Sequence, residues 1–185
     1  MNHIDLSSVL RQTVACDLYS NLVTRPTGAA VRDEIERLLG DTHDRTLTVI
    51  DFSQVSMIDF SCADEVIAKL LLRYASEDSP QEAYFLFRGV TEEHWEAIEA
   101  VLERRGLALV LEQADGVRVV GQLADDERDV WDALQRLGRA APDELAEILS
   151  TELLTIQRAL HALLRQRLVM QVGEEYIVVG AQRGG

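Results

Sequence analysis

Hydrophobic positions along the chain alternate between short continuous runs and stripes spaced three and four residues apart, and this alternation predicts its elements. Leu47 to Ile50 form an apolar run suited to a strand buried on both faces, and Asp51 marks where the chain leaves the hydrophobic layer. The period then changes: Ala63, Val66, Ile67, Leu70, Leu71 and Tyr74 fall on one stripe of a helix packed against the sheet. Upstream, residues 14–24 mix aromatic, β-branched and polar residues in loose alternation, which predicts a strand or short hairpin ended by Pro26. Ala30, Val31, Ile35, Leu38 and Leu39 share a helical face before Gly40. Downstream, Ser79-Pro80 breaks the chain and Tyr84 to Phe87 read as a second buried strand. Thr91 caps a helix whose apolar face is Trp95, Ile98, Val101 and Leu102 and which stops at Gly106. Leu107 to Leu111 and Val117 to Val120 are strands around the turn Ala114-Asp115-Gly116.

From residue 122 the pattern differs. Helices are predicted over Asp125 to Leu137 before Gly138, over Pro142 to Leu149 with proline in the first turn, and over Thr151 to Arg167. Two short strand-like runs, Leu168 to Val172 and Tyr176 to Val179, then flank Gly173-Glu174-Glu175. The chain therefore divides into an α/β part, residues 1–121, and a smaller part, residues 122–185. On the last helix, at 100° per residue, Leu153, Ile156, Leu160, Leu163 and Leu164 gather on one side, and Leu154, Arg158, His161 and Arg165 near the opposite one. That outer stripe suits contact with nucleic-acid phosphates and base edges, contact with a protein through Leu154, or plain solvation. Glu152 at the helix start and Glu174-Glu175 at the hairpin tip oppose a polyanion.

The stretch from Val49 to Val66, VIDFSQVSMIDFSCADEV, carries a resemblance. It resembles the signature of the STAS superfamily, the domain shared by sulphate transporters and anti-sigma-factor antagonists. It is closer to a bacterial STAS-like family of unknown function whose turn runs Ser-Phe-Ala-Asp-Glu, matched here by Ser61, Cys62, Ala63, Asp64 and Glu65. The resemblance spans residues 14–121 and implies a sheet covered by helices. It also implies a protein partner of the histidine-kinase-fold ATPase or anti-sigma type, and phosphorylation of Ser61. Where the antagonists carry a first serine and a glycine in this turn, the chain carries Phe60 and Cys62. The order helix, helix, helix, hairpin in residues 122–185 resembles the winged helix-turn-helix regulators.

Read from the residues, Ser61 stands where the helix begins and has two roles open to it: a cap for the backbone N–H groups of the first turn, with Asp64 as the reciprocal partner, or an exposed hydroxyl that accepts a phosphate. Asp59, Asp64 and Glu65 surround it and form the expected partner-facing patch, as solvated charges at the helix start.

Charge narrows the classes. With 18 basic and 32 acidic residues the net charge is −14, which opposes sequence-independent binding to nucleic acid and to anionic membranes. Residues 150–185 are an exception, with four basic and three acidic side chains. No run of apolar residues is long enough to span a bilayer and the N-terminus lacks a signal-peptide pattern, so a cytoplasmic location is expected. Cys16 and Cys62 suggest neither a disulfide framework nor a zinc site, and His3, His43, His94 and His161 lack metal-ligand spacing. Neither a P-loop nor a dinucleotide fingerprint is present, and the carboxylates at 51, 59, 64 and 65 lack the late lysine of a receiver domain, Lys69 being the only lysine.

The expectation is a cytoplasmic regulator without enzymatic activity, cofactor or metal: a STAS-like layer that binds a protein, joined to a winged helix, in transcriptional or anti-sigma-type signalling, with room for a homodimer. The alternative is a sequence-specific DNA-binding regulator whose first part dimerises or senses.

Overall fold

The computed structural model describes residues 2–5, 21–40, 45–75, 78–79 and 81–181. The strand or hairpin expected over 14–24 lies outside the described residues as far as residue 20, as do Cys16 and His43. The described elements are β1 (Asn2–Asp5), β2 (Asn21–Leu22), α1 (Arg25–Gly40), β3 (Thr46–Asp51) and β4 (Met57–Ile58), then α2, a continuous helix made of Phe60–Ala63, the wide turn Asp64–Ala68 and Lys69–Tyr74. They continue with β5 (Ala83–Arg88), α3 (Glu92–Arg105), β6 (Ala108–Gln113), β7 (Gly116–Gly121), α4 (Asp125–Leu137), α5 (Pro142–Ile148), α6 (Leu153–Arg165), β8 (Val169–Val172) and β9 (Glu175–Val178).

The main sheet has the order β1-β3-β5-β6-β7, parallel except for β7, which returns antiparallel beside β6. Each crossover moves to the next strand in the same direction. Right-handed connections then place α1, α2 and α3 on one face of the sheet. The strand side chains divide accordingly: Ile50, Phe85, Phe87, Leu109, Leu111 and Val120 join the core with those helices. Val49, Tyr84, Leu86, Ala108, Val110, Val117 and Val119 point to the opposite face. A mostly parallel sheet is stable when both faces are covered, because its strands are apolar on both.

The cover for the second face comes from residues 122–181. Val130, Trp131, Ala133 and Leu134 of α4, Leu145 of α5, Ile156, Ala159, Leu160 and Leu163 of α6, and Val169 and Val178 of the hairpin form one apolar cluster with the sheet side chains. The division drawn after residue 121 thus crosses a shared core. A bridge between Ala140 and Tyr176 closes the β8–β9 hairpin onto the strand-like residue between α4 and α5. The same segment shields the β7 edge, where Gln135 donates to the Val117 carbonyl and Arg128 to that of Gly121. Edge groups occupied in this way are withdrawn from pairing with other strands. The protein is a mixed α/β fold with helices over its sheet, and no helix among the described residues is long and apolar enough to cross a membrane.

A chain ending after residue 121 would expose the whole row from Val49 to Val119. We expect it to aggregate or bind a hydrophobic dye where the full chain does neither. A monomeric, dye-silent truncated chain, measured by size exclusion and fluorescence, would show that the first layer does not need this cover.

Candidate functional site

The tip around Ser61 is organised by Asp59, not by the serine. Asp59 is the N-cap of α2: its Oδ1 accepts from the Cys62 N–H at 2.8 Å and from the Ser61 hydroxyl at 2.9 Å, and its Oδ2 accepts from the Thr24 N–H at 3.0 Å. The expected cap at Ser61, with Asp64 as its reciprocal partner, is corrected here. The helix begins one residue earlier, at Phe60, so Ser61 lies within its first turn and donates backward. Ser61 is half-buried. Burial would raise the Asp59 carboxyl, but the N–H groups of Cys62 and Thr24 outweigh it and hold the group below its usual range. Cys62 is fully buried and its thiol donates to the Thr24 carbonyl at 2.9 Å. Burial, with Asp59 nearby, pushes that thiol up to about 12, so it stays protonated and unreactive.

Asp64 and Glu65 are not part of an outward patch. Each is only 2% exposed. Two features turn them inward. The first is the wide turn: the Lys69 N–H bonds back to the Asp64 carbonyl, five residues earlier, and this winding lets two consecutive carboxylates face neighbouring helices. The second is Gly28, where an added Cβ would lie 2.9 Å from the Cys62 Cα and 2.9 Å from the Glu65 Cβ, so α1 approaches α2 almost backbone to backbone. Arg25 and Arg32, three residues before and four after Gly28, then flank the contact.

Four cations meet the pair. Asp64 receives a fork from Arg105 of α3, Nε to Oδ1 at 2.8 Å and a terminal nitrogen to Oδ2 at 2.9 Å, and a bond from Arg25 at 3.1 Å. Glu65 is bonded by Arg25 at 2.6 Å, by Arg32 and by Lys69. The Arg105 fork holds the Asp64 carboxyl below its usual range. For Glu65, burial pushes upward but is outweighed by Lys69 and Arg25, and it too is lowered. The surface left exposed here is therefore cationic and apolar: the Arg25 side chain is 49% exposed and Met57, on the strand leading into Asp59, 50%.

One histidine, His94, lies inside this layer. His94 is fully buried, its Nδ1 accepts the Thr91 N–H at 3.1 Å, and its Nε2 donates to the Val55 carbonyl at 2.7 Å. At the neighbouring strand end, Asp51 accepts from the Ser53 N–H at 2.8 Å and from Arg88 Nε at 2.9 Å. Among the described residues no group of three or more His, Cys, Asp or Glu is placed to hold a metal ion.

On α6 the stripe of Leu154, Arg158, His161 and Arg165 is exposed, Leu154 at 55%. Leu153, expected on the inner side, is 44% exposed because the helix begins there and Ala159 takes the inner place. Residues 153–173 hold no carboxylate. At the hairpin tip Glu174 is exposed and Glu175 is paired with Arg139 at 3.1 Å. Sequence reasoning missed Arg25, Arg32 and Arg105, although basic residues at both ends of a small residue on α1 were a readable sign of a close, charged helix contact. A scan against protein-family models gives no match for this chain, and neither does a search of curated proteins.

Asp59→Ala should destabilise by about 1–2 kcal/mol and Ser61→Ala by much less in denaturant unfolding, since the aspartate caps the helix; the reverse ranking would return the cap to the serine. Glu65→Gln, which leaves Arg32 and Lys69 facing each other, should cost about 2–3 kcal/mol. Because the carboxyls of Asp64 and Glu65 are lowered on folding, the stability they contribute is complete above the ordinary carboxylate range, near pH 4, and is lost as pH falls through their lowered values. The acid limb should be shallower in Glu65→Gln, and an unchanged limb would contradict the assignment.

Proposed function

We propose that this chain is a non-enzymatic regulator in which a STAS-like layer binds a protein partner at the tip around Ser61, with a winged-helix module packed on the back of its sheet. The observation that carries the reading is the tip itself. Asp59 holds Ser61 in the first turn of α2; the exposed Met57 lies on the strand just before it, and the half-exposed Arg25 follows Thr24, whose N–H also donates to Asp59. The partner-facing set is then Met57, Ser61 and Arg25, in place of Asp64 and Glu65. The turn Ser61 to Glu65, the alternation of strands and helices, and the order of α4, α5, α6 and hairpin all support the comparison with STAS-like and winged-helix proteins. Near this tip the Cys62 thiol stays protonated and both His94 ring nitrogens are taken by backbone groups.

Phosphorylation of Ser61 would replace its bond to Asp59 with a meeting of two anions and loosen the first turn of α2. That makes the tip a local switch, read by an ATPase of the histidine-kinase fold or an anti-sigma factor. A second reading is supported by the carboxylate-free face of α6: Arg158, His161 and Arg165 would contact DNA phosphates, with the sheet layer as dimerisation or sensing part.

Affinity capture with the full chain separates these readings. A protein recovered by the wild type and by Arg158→Ala, but reduced about tenfold or more by Met57→Asp, supports the tip. Equal recovery by all three sinks it. Gel-shift binding to DNA that weakens steeply with salt and is lost in the Arg158→Ala, Arg165→Ala double variant would favour the second reading.

A further inference from the structure

One concentration of positive charge lies apart from the Ser61 tip and shares only His161 and Arg165 with the α6 stripe. An open cleft of about 310 Å³ lies between the first residues of β3 and β5 and the end of α6, lined by Arg45, Glu82, Tyr84, His161, Arg165 and Arg167 among others. Arg45 reaches Glu82 at 2.9 Å and the Gln171 carbonyl at 3.0 Å. Arg167 donates Nε to the Tyr74 carbonyl at 2.9 Å. Both guanidiniums lie over the Tyr84 ring, 5.9 and 5.6 Å from its centre. Glu82 is thus taken by Arg45 and by the Tyr84 hydroxyl. Arg165 and His161 are exposed, and neither is engaged in a hydrogen bond or ion pair with the described residues. Three guanidiniums against one carboxylate leave two positive charges in excess, within a chain of net charge −14.

The backbone shows that Arg167 is held there against its own preference. After α6 the Leu168 N–H bonds to the Leu163 carbonyl and the Arg167 N–H to that of Leu164, the double closure that puts the intervening residue in the left-handed region. Arg167 adopts φ +59°. The left-handed residues that end α3 and α4 are Gly106 and Gly138, where no side chain is strained. At the end of α6 an arginine takes the glycine position, and its guanidinium enters the cleft. Ser150 closes α5 in the same way with φ +50°, so what sets the end of α6 apart is the guanidinium that this backbone places in the cleft.

We propose that this cleft binds a small phosphate monoester, held by Arg45, Arg165 and Arg167 with His161 at the rim. The excess of two positive charges matches the nearly two negative charges of such a group, and the planar guanidinium fork fits phosphate oxygens. The volume is at the lower end of small-molecule sites, which suits a mononucleotide-sized ligand rather than a duplex lying along a convex helix. Its lining comes from both parts of the chain, Arg45 and Glu82 from one and Arg165 and Arg167 from the other, so an occupant would hold α6 to the sheet edge and cover two residues of the exposed α6 stripe. The site is independent of the partner-binding tip.

Isothermal titration and thermal shift of the full chain, at matched ionic strength, test this with inorganic phosphate, adenosine 5′-monophosphate, adenosine and a DNA duplex. Saturable binding of the monophosphate but not of adenosine is expected. Arg165→Ala and Arg167→Gly should weaken it about tenfold or more, and Arg158→Ala, on the same helix but outside the cleft, should leave it unchanged. Arg167→Gly relieves the strained backbone, so the variant should remain folded and its loss of binding will not be a loss of structure. No binding of phosphate or monophosphate at millimolar concentration, equal weakening by all three variants, or binding of the duplex alone would overturn the site.

Discussion

Two adjacent carboxylates, withdrawn from water in the middle of one helix, set the geometry of the first layer. Buried anions are costly unless cations and hydrogen bonds surround them, and here those cations come from α1, from α2 itself and from α3. The requirement ties together three helices that also share an apolar core. It also explains two local irregularities. The wide turn of α2 rotates both Asp64 and Glu65 toward the same groove, and Gly28 removes the side chain that would otherwise keep α1 from reaching them. The core of this layer includes Leu22, Val31, Val66 and Ile67, all fully buried.

The second constraint is the singly wound sheet. Helices on one face satisfy half of a parallel sheet, and the other half is satisfied by α4, α5, α6 and the hairpin. The C-terminal segment is accordingly a wall of the fold as well as a module with its own element order. The outer stripe of α6 and the cleft at its end are the surfaces left after Ile156, Ala159, Leu160 and Leu163 have been buried in the core shared with the sheet.

Much of this was legible in the residues. The stripe from Ala63 to Tyr74 is buried as its spacing requires, and α4 has the bounds that its period and Gly138 predict. The strands β3, β5, β6 and β7 lie within one or two residues of the apolar runs that announce them. What escaped was short or long-range. β1 has four residues and β2 and β4 two each, too few for a period to be seen. The inward turn of Asp64 and Glu65 depends on Arg25, Arg32 and Arg105, which lie 33 to 41 residues away along the chain. A carboxylate read locally is a solvated charge, and only the packing of α1 and α3 makes it a buried one. The cap was misplaced by the same locality: Asp59 and Ser61 are both good capping residues, and the backbone of Thr24 favours the aspartate.

The shared core has an optical consequence. The chain has two tryptophans, and Trp131 is 1% exposed within the cluster that joins α4 to the sheet, its indole N–H directed at the Leu168 carbonyl at 3.4 Å. Trp95 is only partly buried, beside the other core. Emission from Trp131 therefore reports the seam between the two halves of the chain. Any motion that parts them would redden it without a label being attached.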